Sequence, residues 1–216
     1  MIQNITIVTD ETLERMRVIL RDVQGGVEKI LPRIIDRART TARATALKEI
    51  TAVYDIKQKD IRDRKNTTIN MYTQQSNNKI VGVVSYSGTK IPLYRFGVSH
   101  KTPKKLNKRV PVMFDNETVW VSPGAPVSAR LRKDRPKTLF KNSFIAKMKS
   151  GHFGMFERMN PNSMERLKIR EFPGASTAEM AEEPGVLDKV EAATIDTAMK
   201  RIEHEISRIL HGYGGK

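Results

Sequence analysis

The chain has 216 residues, of which 38% are hydrophobic and 29% charged, with a formal net charge of +15 and no cysteine. That is enough apolar material for a domain with its own core and too much for a disordered chain. It excludes disulfide staples, thiolate metal sites and a cysteine nucleophile. No stretch approaches the roughly 18 consecutive apolar residues of a membrane span, and residues 1–10 lack the basic region and apolar run expected of a secretory signal.

The charge is unevenly spread. Residues 95–170 hold 18 basic and 5 acidic side chains, whereas residues 171–216 hold 5 basic and 9 acidic ones. A basic middle implies a polyanion or an acidic protein as neighbour, with a solvated surface as the plain alternative.

Residues 2–8 read as a short strand or an unstructured lead. Asp10 then reads as an N-cap, followed by Leu13, Met16, Leu20, Val23 and Val27 at helical spacing. Gly25, Gly26 and Pro32 interrupt that series, which predicts a first helix to about Gln24 and a second opening near Val27. Pro32 would then fall in or near its first turn, where a missing N–H costs least. The apolar series runs on through Ile30, Ile34, Ala38, Ala42, Ala46, Ile50 and Val53, with a small-residue stripe at Ala38–Ala46 that permits close approach. Asp55–Asp63 predicts a short separate helix anchored by Ile56 and Ile61.

Alternation of period two follows. Thr67–Thr73 and Lys79–Ser85 predict an antiparallel hairpin around the polar cluster Gln74–Asn78. Ile91–Phe96 predicts another strand. Gly97–Arg109 reads as a long exposed basic loop. Val110–Phe114 and Thr118–Val121 predict a hairpin around Asp115-Asn116-Glu117. Ser122–Lys137 holds three prolines and a second basic run. Phe144–Lys149 and Gly154–Met159 predict a hairpin around Ser150 and Gly151, and Leu167–Phe172 a last extended segment. Ser176–Ala181 reads as a helical turn interrupted by Pro184-Gly185. Val190, Ala193, Ala198, Ile202, Ile206, Ile209 and Leu210 then give a helix of about seven turns, ended by Gly212, Gly214 and Gly215.

Helices, then strands, then a helix predict an α+β fold. The long N-terminal helix and the C-terminal helix would pack on a central antiparallel sheet that can curl into a half-barrel. The segments 1–65 (helical), 66–175 (β-rich and basic) and 176–216 (helical arm) would form one structural domain.

Several stretches resemble the phage minor tail protein Z family, related to tail-completion and head–tail joining proteins. They are Leu31-Pro-Arg-Ile-Ile-Asp-Arg-Ala-Arg39, Ala44–Ile50 and Tyr54-Asp-Ile-Lys-Gln-Lys-Asp-Ile-Arg62. Further along come Gly151-His-Phe-Gly-Met-Phe-Glu-Arg158 and Leu167-Lys-Ile-Arg-Glu-Phe-Pro-Gly-Ala-Ser176. The likeness is one of order and character over roughly residues 27–210. The chain departs from it at Phe172-Pro-Gly-Ala-Ser176, where Gly-Pro-Ser is expected, and in the acidic Glu179–Glu183. The resemblance implies a structural virion protein without catalysis or cofactor, assembled in the host cytoplasm as a homo-oligomeric ring, of sixfold symmetry as tails of this kind have. Its place would be the tail or neck, between the tail tube or tail terminator and the head connector.

No catalytic motif competes with that expectation. The sequence contains no Gly-x-Ser-x-Gly, no His-Glu-x-x-His and no P-loop. His204 and His211 can share a helix face, but no carboxylate is spaced to complete a metal site. Glu203 and Glu205 read as solvated helix charges. The segment 151–156 is similar to part of an RNA-recognition strand, yet its residue order differs, and Phe153 and Phe156 read as core or subunit contacts. The candidate functional residues are therefore the cations of the two basic loops: Lys101, Lys104, Lys105, Lys108 and Arg109, and Arg130, Arg132, Lys133, Arg135 and Lys137. They suit DNA phosphates in a ring lumen, or acidic surfaces of neighbouring proteins. The alternative function is a monomeric basic nucleic-acid-binding protein using the same loops.

Overall fold

The computed structural model describes residues 2–62, 68–76, 79–114, 117–159 and 168–212. The fold is α+β, with antiparallel sheets and no closed barrel. The chain divides into two compact units. Residues 1–50, 67–88 and 178–216 make the first, and residues 51–66 and 89–177 the second. The first and last sequence segments thus share one unit with the 67–88 hairpin, a grouping the segments 1–65, 66–175 and 176–216 do not follow.

The first unit is built on strands β1 (Ile2–Val8), β2 (Thr68–Ser76) and β3 (Lys79–Ser87) in the order β1-β3-β2, with helices α1 (Asp10–Ile19), α2 (Gly26–Val53, its last turn in the second unit), α4 (Thr177–Ala181) and α5 (Pro184–Leu210). The cap of α1 is Thr9, not Asp10: the Thr9 side chain accepts from Thr12 N at 3.3 Å. This leaves Asp10 inside the first turn, where its charge faces the positive helix end. Helix α2 begins at Gly26, so Pro32 lies inside it and not in its first turn. It gives up the bond its N–H would have made to the Glu28 carbonyl, and burial of Ile30 and Ile34 on either side holds the helix there.

Helices α2 and α5 run antiparallel. Arg33 meets Glu205 at 3.0 Å and Glu49 meets Lys189 at 2.7 Å, 16 positions further along one helix and 16 back along the other. Those 16 positions correspond to about 24 Å of matched helix. Within that span Ala38, Ala42 and Ala46 are buried on α2, level with the buried Ala198, Thr194 and Val190 on α5. Leu210, expected in the apolar stripe of α5, is 57% exposed, and the fully buried residue near that end of the helix is Glu205. Gly212 follows the helix at φ +74°, as its expected terminator does.

The second unit holds α3 (Gln58–Arg62), β4 (Val110–Phe114), β5 (Glu117–Val121), β6 (Val127–Ala129), β7 (Thr138–Phe140), β8 (Ser143–Lys147), β9 (Phe153–Arg158) and β10 (Ile169–Glu171). Its sheets are β10-β9-β8, β4-β5 and β6-β7, so the strands are distributed over small sheets instead of one central layer. Ile56 and Ile61 are buried as anchors of α3. Ile91–Phe96 is not a strand. Ile91 and Leu93 make backbone bonds with residues 172–175, and Leu93–Arg95 then closes a 3-10 turn. Prolines at the bridge Pro92–Pro173 supply no donors to continue a ladder. The three expected hairpins form, except that β2 continues to Ser76 and β5 starts at Glu117. Asp63, Thr67, residues 77–78 and 115–116, Leu167, Gly214 and Gly215, named in those expectations, lie outside the described residues.

Candidate polyanion-binding surface

The two basic loops belong to the second unit, and backbone bonds lay them along each other. Arg130 N donates to Gly97 O at 3.3 Å and Ser99 N to Ser128 O at 2.7 Å. Further along, Ala125 N donates to Lys104 O at 2.8 Å and Leu106 N to Pro123 O at 2.9 Å. Residues 97–106 therefore run antiparallel to residues 123–130, with the 130–137 loop at one end and residues 104–109 at the other.

The ten candidate cations fall into two groups. Five are engaged within the unit. Arg130 Nε donates to Asp55 Oδ2 at 2.6 Å. Arg132 pairs with Asp134 at 3.0 Å and stands 5.7 Å from the centre of the Tyr54 ring. The hydrogen bond from Arg132 holds the Asp134 carboxyl below its usual range. Lys133 Nζ donates to Thr51 O at 2.6 Å, and Lys137 Nζ to Val98 O at 3.4 Å. Lys101 Nζ donates to the carbonyls of Tyr94 and of Phe96, the latter at 3.2 Å, and lies 4.6 Å from the Tyr94 ring centre. Burial pushes its pKa down. Next to it, His100 is also lowered, by burial first and by Lys104 second. The engaged side chains hold the loops in place. Their commitments to carboxylate or backbone oxygens leave them poor partners for an external anion.

The other five are Lys104, Lys105, Lys108, Arg109 and Arg135. All are exposed. Among the described residues their side chains make no hydrogen bond or ion pair. Their charges are available, and they lie at the two ends of the paired segments.

Charge sorts by unit as cleanly as it does by loop. The first unit's sequence contains 15 basic and 15 acidic residues, and the second's 24 basic and 9 acidic. The whole net charge of +15 resides in the second unit.

The first unit holds a cluster that the sequence did not announce. Glu205 is fully buried, with Arg33 at 3.0 Å, Arg208 at 3.7 Å and Arg201 at 2.5 Å, the last an ion pair without hydrogen-bond alignment. Beside it two adjoining cavities of about 340 and 350 Å³ share Arg37 and Arg201 in their walls. Arg201 and Arg208 are spaced for Glu205 on the helix, a readable signal, but Arg33 lies 172 positions away. Phe156 is buried and Phe153 stacks on Tyr94 at 6.2 Å, which occupies both aromatics of the 151–156 segment inside the unit. Among the described residues no group of three or more His, Asp or Glu is placed to hold a metal ion, and no helix is long and apolar enough to cross a membrane. No family model, curated protein or solved structure matches the chain.

Proposed function

We propose that the chain is a structural phage virion subunit, a tail-completion or neck component without catalytic activity. Copies assemble as a ring at the head-proximal end of the tail and join it to the head connector. The likeness of residues 27–210 to the minor tail protein Z family motivates this reading. The observation that carries it is the confinement of the net charge to one unit. One body of the subunit is electrically balanced and suited to packing among copies. The other is strongly cationic, with five available cations, and suited to an acidic connector or tail surface or to DNA in the lumen. In a ring each such cation recurs by symmetry, so a few per copy make a continuous positive belt.

The test is electron microscopy of the purified chain and of phage particles that lack it. The expected result is rings from the purified chain, and particles whose tails and heads fail to join. A chain that stays monomeric and binds no virion component overturns the proposal. Tight, salt-sensitive binding of that monomer to free DNA or RNA would establish the nucleic-acid-binding alternative instead.

A further inference from the structure

The β4–β5 hairpin (Val110–Val121) stands apart in its unit. Its strands pair fully with each other, and among the described residues no other strand or helix makes more than marginal contact with it. A lone two-stranded hairpin is marginally stable in water. This one carries the chain's one tryptophan, Trp120, 60% exposed and directly across from exposed Pro111. The available cations Lys108 and Arg109 lead into it. An exposed indole beside an arginine is the composition of an interface anchor, not of a solvated loop.

The first unit exposes a surface of matching chemistry. On α5 the residues Asp188, Ala192, Asp196, Met199, Glu203, Ser207 and Leu210 recur every three or four positions, and all seven are exposed. At 3.6 residues per turn they occupy an arc of about 100°, opposite the buried Val186, Val190, Thr194, Ala198 and Ile202. Both exposed large apolar residues of α5, Met199 at 40% and Leu210 at 57%, fall on this stripe. So do three of its carboxylates, of which Asp188 and Glu203 have no ion-pair partner among the described residues. Glu203 lies one turn, about 6 Å, beyond Met199 along the helix, and Arg109 lies two residues, about 7 Å, from Pro111 and the Trp120 opposite it.

We infer that in the ring proposed above, on which this inference rests, the β4–β5 hairpin of one copy docks on the α5 stripe of the next. Trp120 covers Met199, and Arg109, with Lys108 beside it, faces the carboxylate of Glu203. The two surfaces are different, so the contact is head-to-tail, and repeating it closes a ring or extends a filament.

The experiment uses the full chain in three variants, with mass in solution read by light scattering and folding by circular dichroism. Trp120→Ala is expected to weaken self-association about 30-fold or more, the effect of losing an aromatic anchor, with an unchanged spectrum because the side chain is exposed. The variants Lys108→Glu/Arg109→Glu and Glu203→Lys are each expected to self-associate at least tenfold more weakly than the wild type. Mixed one to one, they are expected to reassemble, because only unlike neighbours then present opposite charges. Wild-type-like assembly of all three variants, or failure of the folded pair to reassemble, overturns the interface while leaving the ring intact as a reading. A wild-type chain that never self-associates overturns both.

Discussion

Arg33 and Glu205 are separated by 172 positions and joined by a 3.0 Å hydrogen bond. Glu205 is fully buried, whereas the three arginines around it keep between 30% and 45% of their side-chain exposure. The carboxylate has given up water and the guanidinium groups have not, so stability depends asymmetrically on the two sides. Removing one partner of a buried ion pair typically costs about 3–5 kcal/mol. Glu205→Ala is expected to cost about 3 kcal/mol, the low end, since the arginines regain solvent. Arg33→Ala should cost roughly 1 kcal/mol, because Arg201 and Arg208 still face the carboxylate. Urea unfolding of both variants checks the ratio; equal losses would contradict the asymmetry.

Gly97 sits against the Asp55–Arg130 pair. A Cβ there would lie 2.0 Å from Asp55 Oδ2 and 3.1 Å from Arg130 Cγ. Asp55 is held at its backbone by a 2.8 Å bond to Leu131 O, so the carboxylate must swing aside. Gly97→Ala is expected to lower stability by about 2 kcal/mol and to open the 130–137 loop to limited proteolysis. Asp55→Asn alone should loosen the same loop with a smaller loss of stability.

Tyr86 is fully buried, and desolvation raises its pKa to about 12. In the unfolded chain the phenol titrates near 10. Between these values the unfolded chain loses a proton that the folded chain keeps, so stability falls with rising pH. The contribution is complete below about pH 10 and lost by about pH 12. Two units correspond to about 3 kcal/mol. Tyr86→Phe is expected to flatten that part of the stability curve. Absorbance of ionised tyrosine should show one of the five tyrosines titrating with the alkaline unfolding transition.

Lys104→Glu, Lys105→Glu and Arg135→Glu together are expected to leave the fold intact and to weaken retention on a polyanion column, with a shallower salt dependence. Every phosphate that the surface no longer neutralises takes about one from the slope of log affinity against log salt. Neutralising Arg130 and Lys133 instead should lower the melting temperature, because those cations hold the loops. Retention that follows only the second pair would refute the division of the ten cations.

The long helices were legible because burial on one face writes a 3.6-residue period over many turns. The hairpins were legible from alternation and turn residues. The Ile91–Phe96 segment was not, since its apolar residues serve a 3-10 turn and two short backbone bridges, and neither has a periodicity. Thr9 and Asp10 are both good caps, and only the backbone angle at Thr9 decides between them. For the site, composition identified the basic loops but not which cations are available. Arg130 is committed to Asp55, 75 positions away, and Lys133 to Thr51, 82 positions away; nothing within the 130–137 segment encodes either partner. Glu205 reads in the sequence as a solvated helix charge because acidic residues on a helix usually are; its burial depends on α2 arriving from the other end of the chain.

Strand β1 packs on α5, and both belong to a unit completed only by residues 178–216. During synthesis the second unit, residues 51–66 and 89–177, has been translated in full before α5 exists. At bacterial or eukaryotic elongation rates the opening strand waits on the order of ten seconds or more for its final partner. Throughout that interval α2 lacks the helix whose Glu205 and Lys189 pair with its Arg33 and Glu49. Nascent chains therefore carry α2 without its partner helix until translation ends, and a chaperone that shields it would raise the yield of folded protein.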